Sequence, residues 1–234
     1  MHFRYSCIWD KGDYYEVNQD SYALQAVMTG GGPYALLMVC DGVGSLVKGE
    51  YASGLTVTYM TEWFYEQALP ALCRRITTKQ LYRSVKRALG EVHNRLKKEG
   101  ELAGKALGTT FSMLILAPGD YYYFYVGDCV CYRIGKKVKK IGKSIHGTQG
   151  ELLDAVGVGR MPELHIETGR YNRKNTFLLC SDGFHRCLTL QAIMALGRQE
   201  KSDKDRKKLL KEIVLRGRGK GEKDNCTGII IGRN

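Results

Sequence analysis

The chain has 234 residues, of which 44% are hydrophobic, and 36 Lys and Arg against 24 Asp and Glu give it a formal charge of +12. This composition is typical of a folded globular protein, which excludes a disordered chain, and no apolar run approaches the roughly 18 residues of a membrane helix. Charged and aromatic residues stand at the start, where a signal peptide carries an apolar stretch. We therefore expect one cytoplasmic domain over residues 1–234.

The predicted elements are mostly strands. In chain order, runs of β-branched and aromatic residues predict strands near 3–9, 20–28, 34–40, 109–117, 120–126, 129–134, 137–141, 163–168, 175–180 and 226–232. Helical periodicity predicts helices at 48–68 and 78–99, and shorter ones at 189–197 and 204–216. Strands and helices do not alternate regularly, so antiparallel sheets covered by paired helices are favoured over a doubly wound parallel sheet.

Two basic segments account for the net charge. Residues 133–143 contain six Lys or Arg and no acidic residue, and residues 198–223 contain eleven basic and five acidic residues. We interpret both as solvated surface, with docking of an anionic partner as an alternative. Aromatic residues are not interleaved with these basic residues, as they are on surfaces that bind single-stranded nucleic acid. Nucleic-acid binding is therefore disfavoured.

The eight cysteines include no Cys-x-x-Cys pair. We expect them to be reduced and mostly buried as small apolar residues. Four of them lie within two residues of an aspartate, namely Cys40, Cys129, Cys180 and Cys226. A zinc site is therefore a minor alternative to the oxygen-ligand site described next.

Five aspartates form the main chemical signal. Four lie at strand ends or tight turns beside glycine or a small polar residue, and the fifth opens a strand; they are Asp41, Asp128, Asp182, Asp224 and Asp20. One such residue alone indicates a turn or a cap. Five predict a shared site for Mg²⁺ or Mn²⁺, because these ions prefer carboxylates, backbone carbonyls and water. The five histidines show no zinc spacing, and no serine lies in Gly-x-Ser-x-Gly.

The order of these motifs resembles the metal-dependent Ser/Thr protein phosphatase family (PPM, type 2C), in particular its bacterial stand-alone members. The resemblance runs nearly end to end through "NQDSY", "VCDGVGSLVKGEYAS", "GTTFSMLIL", "YVGDCVCYRI", "LLCSDGF" and "KDNCTGIII". Each motif alone is weak, but six in the family order and spacing are specific. The implied fold is α+β: a four-layer αββα sandwich with two antiparallel β-sheets flanked by helix pairs.

The resemblance also implies two Mn²⁺ or Mg²⁺ ions, with a third as a further possibility. The residues it assigns to the metals are Asp41, which would bridge both ions, Gly42 through its carbonyl, Asp182, Asp224, Asp20 with Gln19 beside it, and Asp128 at the third ion. Asp41, Asp182 and Asp224 would be the catalytic set. Asn225 would support the site from beside it.

The implied activity is hydrolysis of phosphoserine and phosphothreonine in proteins by a metal-activated water. Substrates would be signalling proteins phosphorylated by a Ser/Thr kinase. We expect a monomer that binds neither nucleic acid nor membranes. The segment 142–162 aligns with the variable flap of the family, and we expect it to influence substrate choice.

The sequence departs from the family pattern at several positions. Tyr15 stands where many members carry a phosphate-binding Arg, Gln19 replaces a common Glu, and Val43 replaces the His of eukaryotic members. The segment "GDCVC" lacks the usual Ser-Arg. Tyr15 and Gln19 motivate a second hypothesis, a catalytically weak or inactive pseudophosphatase that binds phosphoproteins, whereas the retained Asp41, Asp182 and Asp224 argue against it.

Overall fold

The computed structural model describes residues 2–43, 46, 48–142, 155–198 and 202–233. Its strands are β1 (Phe3–Asp10), β2 (Asp20–Thr29), β3 (Gly32–Asp41), β4 (Phe111–Ala117), β5 (Asp120–Val126), β6 (Val130–Ile134), β7 (Val138–Ile141), β8 (His165–Arg170), β9 (Thr176–Cys180) and β10 (Cys226–Arg233). All ten overlap the predicted strands. The predicted flap lies largely outside the described residues, since 143–154 are not described.

The strands form two five-stranded sheets. One has the order β1-β10-β9-β6-β7 and the other β2-β3-β4-β5-β8, and every neighbouring pair is antiparallel. The basic segment 133–143 forms the hairpin that joins β6 to β7, except for residue 143, which lies outside the described part.

The helices are α1 (Gly49–Trp63), a π-helical turn (Phe64–Ala68), α2 (Leu69–Cys73), α3 (Thr78–Leu102), α4 (Asp182–Arg186), α5 (Leu190–Gly197) and α6 (Asp203–Arg218). The helix predicted at 48–68 therefore continues through the π-helical turn to Cys73. The apolar residues of α3 that recur at helical spacing are buried on one face, and a capping box between Thr77 and Gln80 begins that helix. We did not predict α4, which follows β9 directly.

Three apolar layers hold the fold together. The central layer lies between the sheets, and its residues include Leu37, Val39, Leu114, Leu179 and Ile229. A second layer packs β2–β5 against α1 and α3, with residues such as Leu36, Met38, Met60, Leu89 and Met113. A third packs the other sheet against α4–α6, with residues such as Val130, Leu178, Phe184, Leu210 and Ile230. The fold is thus the predicted α+β sandwich.

Alternation along β3 shows why its sequence is continuously apolar. Leu37 and Val39 face the central layer, whereas Leu36, Met38 and Cys40 face the helices. A strand covered on both faces has no polar side, so its apolar residues run without interruption.

Among the described residues, no helix combines the length and apolar character that crossing a bilayer requires.

Candidate metal centre

Both sheets contribute aspartates to one edge of the sandwich. Asp20 begins β2 and Asp41 ends β3, and the two are partners in the antiparallel pair. In the other sheet, Asp182 begins α4 just after β9, and Asp224 precedes β10. Because β9 and β10 are hydrogen-bonded neighbours, these two residues also lie at adjacent strand ends.

The electrostatics show that the aspartates share one region. Burial and the negative charges of Asp20, Asp182, Asp128 and Asp224 raise the pKa of Asp41 well above its ordinary value. The structure therefore brings together all five aspartates singled out in the sequence. Their assignment as metal ligands stays a prediction.

Asp20 is the most deeply buried member of this group. Its side chain has no solvent exposure, and neither carboxylate oxygen has a hydrogen-bond partner among the described residues. Burial raises its pKa to about 7, although the nearby hydroxyls of Thr227 and Ser181 oppose the shift. A buried carboxylate without a hydrogen-bond partner is costly, and a bound cation would offset that cost.

The Gly-Thr-Thr motif at 108–110 fixes the backbone of Asp41. The Asp41 amide N–H donates to Thr110 Oγ1 at 2.8 Å, and its carbonyl oxygen accepts from the Thr110 amide at 2.8 Å and from Thr109 Oγ1 at 2.9 Å. Both threonines are buried. We recognised this motif in the sequence, but its positioning role follows only from the structure.

Gly42 lies where α1 begins to pack against the end of β3. A Cβ at this position would lie 2.4 Å from the backbone carbonyl carbon of Gly49, so only glycine fits. The Gly42 amide donates to the Gln19 carbonyl at 3.1 Å, and Ser53 Oγ donates to the same carbonyl at 2.6 Å. The side-chain oxygen of Gln19 is buried with no partner among the described residues.

Asn225 connects three segments around the site. Its side-chain oxygen accepts from the Gln19 amide at 2.8 Å, its side-chain nitrogen donates to the Lys11 carbonyl, and its amide donates to Asp224 Oδ1 at 2.8 Å. Asn225 therefore lies beside the aspartates and holds the Gln19 and Asp224 segments together. Its predicted place next to the site agrees with this geometry.

Tyr15 also faces the aspartates. Its pKa is raised by burial and by the charges of Asp224 and Asp41. Backbone hydrogen bonds from Asp13 and Tyr14 to the Lys223 carbonyl, at 2.9 and 3.0 Å, fix the preceding loop. The residue that replaces the phosphate-binding Arg of many family members thus lies at the same edge.

Sequence reasoning missed Arg186, the last residue of α4. Its guanidinium forms ion pairs with Asp182, with Asp224 Oδ2 at 2.7 Å and with Glu222 Oε2 at 2.7 Å. The spacing of four residues between Asp182 and Arg186 was a signal that could have indicated the first pair. The contacts with Glu222 and Asp224 depend on tertiary structure.

The donor set fits a hard divalent cation. Four of the buried atoms at this edge that lack a partner among the described residues are the oxygens such an ion prefers: both of Asp20 and one each of Asp182 and Gln19. Within the described ranges, however, no three His, Cys, Asp or Glu side chains are already arranged to hold one ion. In the described part of the chain, the carboxylates thus lie at one edge but do not surround one common position.

The minor zinc alternative is not supported by the cysteines. All eight are free thiols, and Cys40, Cys129, Cys180 and Cys226 are buried. Cys40 lies in the second apolar layer, Cys129 in the central one, and Cys180 and Cys226 in the third. Their sulfurs therefore do not meet as the ligands of one tetrahedral zinc ion would.

Comparison with known proteins decides the family. The family model described as "Protein phosphatase 2C" matches residues 15–215, a range that includes four of the five clustered aspartates, all but Asp224. The chain belongs to the protein phosphatase 2C family. The predicted enzyme class, a phosphoprotein phosphatase, is thereby confirmed.

Relatives and solved structures agree with this membership. The chain is 22% identical over 222 residues to the serine/threonine phosphatase stp of Listeria welshimeri, covering 85% of this chain and 84% of the relative, and 23% identical over 225 residues to that of Listeria innocua, with the same coverage. Its fold is similar to that of serine/threonine phosphatase Stp1 from Staphylococcus aureus, with a TM-score of 0.83 and 18% identity over 100% of this chain and 96% of the other. The Mycobacterium tuberculosis serine/threonine phosphatase PstP/Ppp gives a TM-score of 0.78 and 20% identity, with both chains fully covered.

Proposed function

We propose that this protein hydrolyses phosphoserine and phosphothreonine in other proteins and needs Mn²⁺ or Mg²⁺ to do so. The observation that carries this proposal is the presence of five aspartates from both sheets at one edge, where both oxygens of Asp20 and one of Asp182 are buried without a hydrogen-bond partner among the described residues. The names of the Listeria relatives support the choice of serine and threonine.

We assign the metal-holding roles to the residues identified in the sequence. Asp41 and the Gly42 carbonyl would hold the ions together with Asp182 and Asp224. Asp20 and Gln19 would bind or orient water around them, and Asp128 would hold a third ion. When bound, such ions supply an activated water for attack on phosphorus and offset the charge of the phosphoryl oxygens.

The protein's own contribution is to keep these groups in place. Thr109 and Thr110 fix the Asp41 backbone, and Asn225 fixes the segments of Gln19 and Asp224. Such support matters because a displacement of about 1 Å can lower a rate by about a hundredfold. The substrates are proteins that a Ser/Thr kinase has phosphorylated. The enzyme acts as a monomer in the cytoplasm.

A pseudophosphatase that binds phosphoproteins is the second candidate. Two observations favour it: Tyr15 replaces a cationic phosphate ligand, and the guanidinium of Arg186 already pairs with two of the predicted metal ligands. In that case the protein would bind phosphopeptides without hydrolysing them.

One experiment separates the two candidates. Hydrolysis of an aryl phosphate and of phosphothreonine and phosphotyrosine peptides is measured with Mn²⁺, with chelator, and for Asp41→Ala. Asp120→Ala is the matched control, because Asp120 lies in a surface ion pair with Arg170, at the end of β5 that is far from Asp128. Metal-dependent hydrolysis that prefers phosphothreonine and is lost only in Asp41→Ala supports the phosphatase. Phosphopeptide binding with turnover no higher than that of Asp41→Ala identifies the pseudophosphatase.

A further inference from the structure

Arg186 connects three carboxylates at the edge of the aspartate cluster. Its Nη1 donates to one oxygen of Asp182, and its Nη2 donates to one oxygen of Asp224. Its Nε and Nη2 donate to the two oxygens of Glu222, at 2.7 and 3.3 Å. Its side chain is 45% exposed. The guanidinium therefore lies between the predicted metal ligands and solvent.

Glu222 holds the other side of this guanidinium. Its side chain is only 14% exposed, and Oε1 accepts the amide hydrogens of Lys223 and Asp224 at 3.0 Å each. Burial alone would raise the pKa of Glu222, but Arg186 and these amides lower it. Glu222 is thus a fixed anionic partner that is not among the predicted metal ligands.

We propose that Arg186 is a built-in counter-ion that competes with divalent cations for the Asp182–Asp224 pair and so weakens metal binding there. The inference rests on the proposed metal centre. A carboxylate oxygen that accepts a guanidinium hydrogen bond is less available to a metal, and the two cations repel each other. When an ion binds, the guanidinium moves off the aspartates and stays paired with Glu222.

Asp20 is not covered in this way. Among the described residues, neither of its carboxylate oxygens has a hydrogen-bond partner, and the second oxygen of Asp182, Oδ1, has none either. Arg186 therefore neutralises only one side of the cluster. Its own pKa, which burial would lower, is raised by Glu222, Asp182 and Asp224, so it stays charged throughout the accessible pH range.

The test measures Mn²⁺ affinity directly, by titration calorimetry and by the electron paramagnetic resonance signal of the free ion, on chelator-treated protein. Arg186→Gln should bind Mn²⁺ about tenfold or more tightly than the natural chain, because a positive charge near the ligands is removed. Arg186→Lys should be intermediate, since an ammonium cannot pair with three carboxylates in the same geometry.

Arg216→Gln is the matched control. Arg216 lines the same cleft of about 310 Å³ as Arg186, but its ion pair is with Glu212 and its side chain is 71% exposed. Arg216→Gln removes one positive charge, as Arg186→Gln does, but leaves the ion pairs of Asp182 and Asp224 with Arg186 intact. Its Mn²⁺ affinity should therefore equal that of the natural chain. Circular dichroism of each variant verifies the fold, and Arg186→Lys provides the comparison if Arg186→Gln does not fold.

The outcomes separate this inference from the proposed function. If Asp41→Ala abolishes Mn²⁺ binding while Arg186→Gln binds no more tightly than the natural chain, the counter-ion proposal is wrong and the metal centre stands. An equal gain in Arg216→Gln would also overturn it. If neither the natural chain nor Arg186→Gln binds Mn²⁺, both proposals are wrong.

Discussion

Replacing Asp20 by Asn should stabilise the metal-free protein at alkaline pH. Burial raises the pKa of Asp20 from 3.8 to about 7. A carboxyl group whose pKa is higher in the folded state binds protons more tightly when folded, so stability is highest at low pH and falls as pH rises from about 4 to about 7. Asn has a similar shape and cannot ionise, so this loss should disappear.

The size of the effect follows from the difference in pKa. About 3 pKa units at 1.36 kcal/mol each correspond to about 4 kcal/mol. This is the maximum, because rearrangement around the ionised carboxylate lowers the cost. For a chain of this size each kcal/mol changes the unfolding temperature by about 2–4 °C, so the full effect is about 8–16 °C.

Urea unfolding in chelator, at about pH 5 and about pH 8, measures this difference for the natural chain and Asp20→Asn. The natural chain should lose more stability between these pH values than Asp20→Asn does, and Mn²⁺ should stabilise the natural chain more. Asp120→Asn, at an exposed position, is the control and should behave like the natural chain. Equal pH dependence in the natural chain and Asp20→Asn would refute the reasoning.

Further variants test the surroundings of the site. Gly42→Ala places a Cβ 2.4 Å from the Gly49 backbone and should cost about 1–3 kcal/mol in urea unfolding, whereas Gly90→Ala, with nothing within 4 Å, should stabilise α3 by about 0.5–1 kcal/mol. Asn225→Ala leaves the buried Gln19 amide without its acceptor and should lower the free energy of unfolding by about 1–3 kcal/mol. Each kcal/mol lost lowers the unfolding temperature by about 2–4 °C, and an unchanged melting curve would contradict the role of Asn225 in holding the Gln19 segment. Added Mn²⁺ should raise the unfolding temperature of the chelated protein more at about pH 8 than at about pH 6, because protons compete for the aspartates; the opposite trend would argue against carboxylate ligands.

Most of the fold could be predicted because its signals are local. β3 is apolar throughout since both of its faces are covered, and α3 has one buried stripe at helical spacing. α4 could not be predicted in this way: five residues are too few to show a period, and Asp182-Gly183 is also typical of a turn.

The candidate site was only partly predictable for a similar reason. The aspartates could be found because each has a glycine or a small polar neighbour at a strand end. Arg186 has no such local pattern, and its partners Glu222 and Asp224 come close only because α4 packs beside the start of β10. A contact between side chains so far apart in sequence depends on the packing of whole elements.

Because β1 pairs with β10, the fold can be completed only after β10 has been synthesised. Phe3 faces Arg233 and Asp10 faces Cys226, so the first strand of the chain has its sheet partner in the last. During synthesis β1 must wait without this neighbour, and Asp224 joins the other aspartates only as β10 emerges from the ribosome. A nascent chain stalled before β10 should therefore expose an unpaired strand edge, which makes it a candidate for chaperone binding.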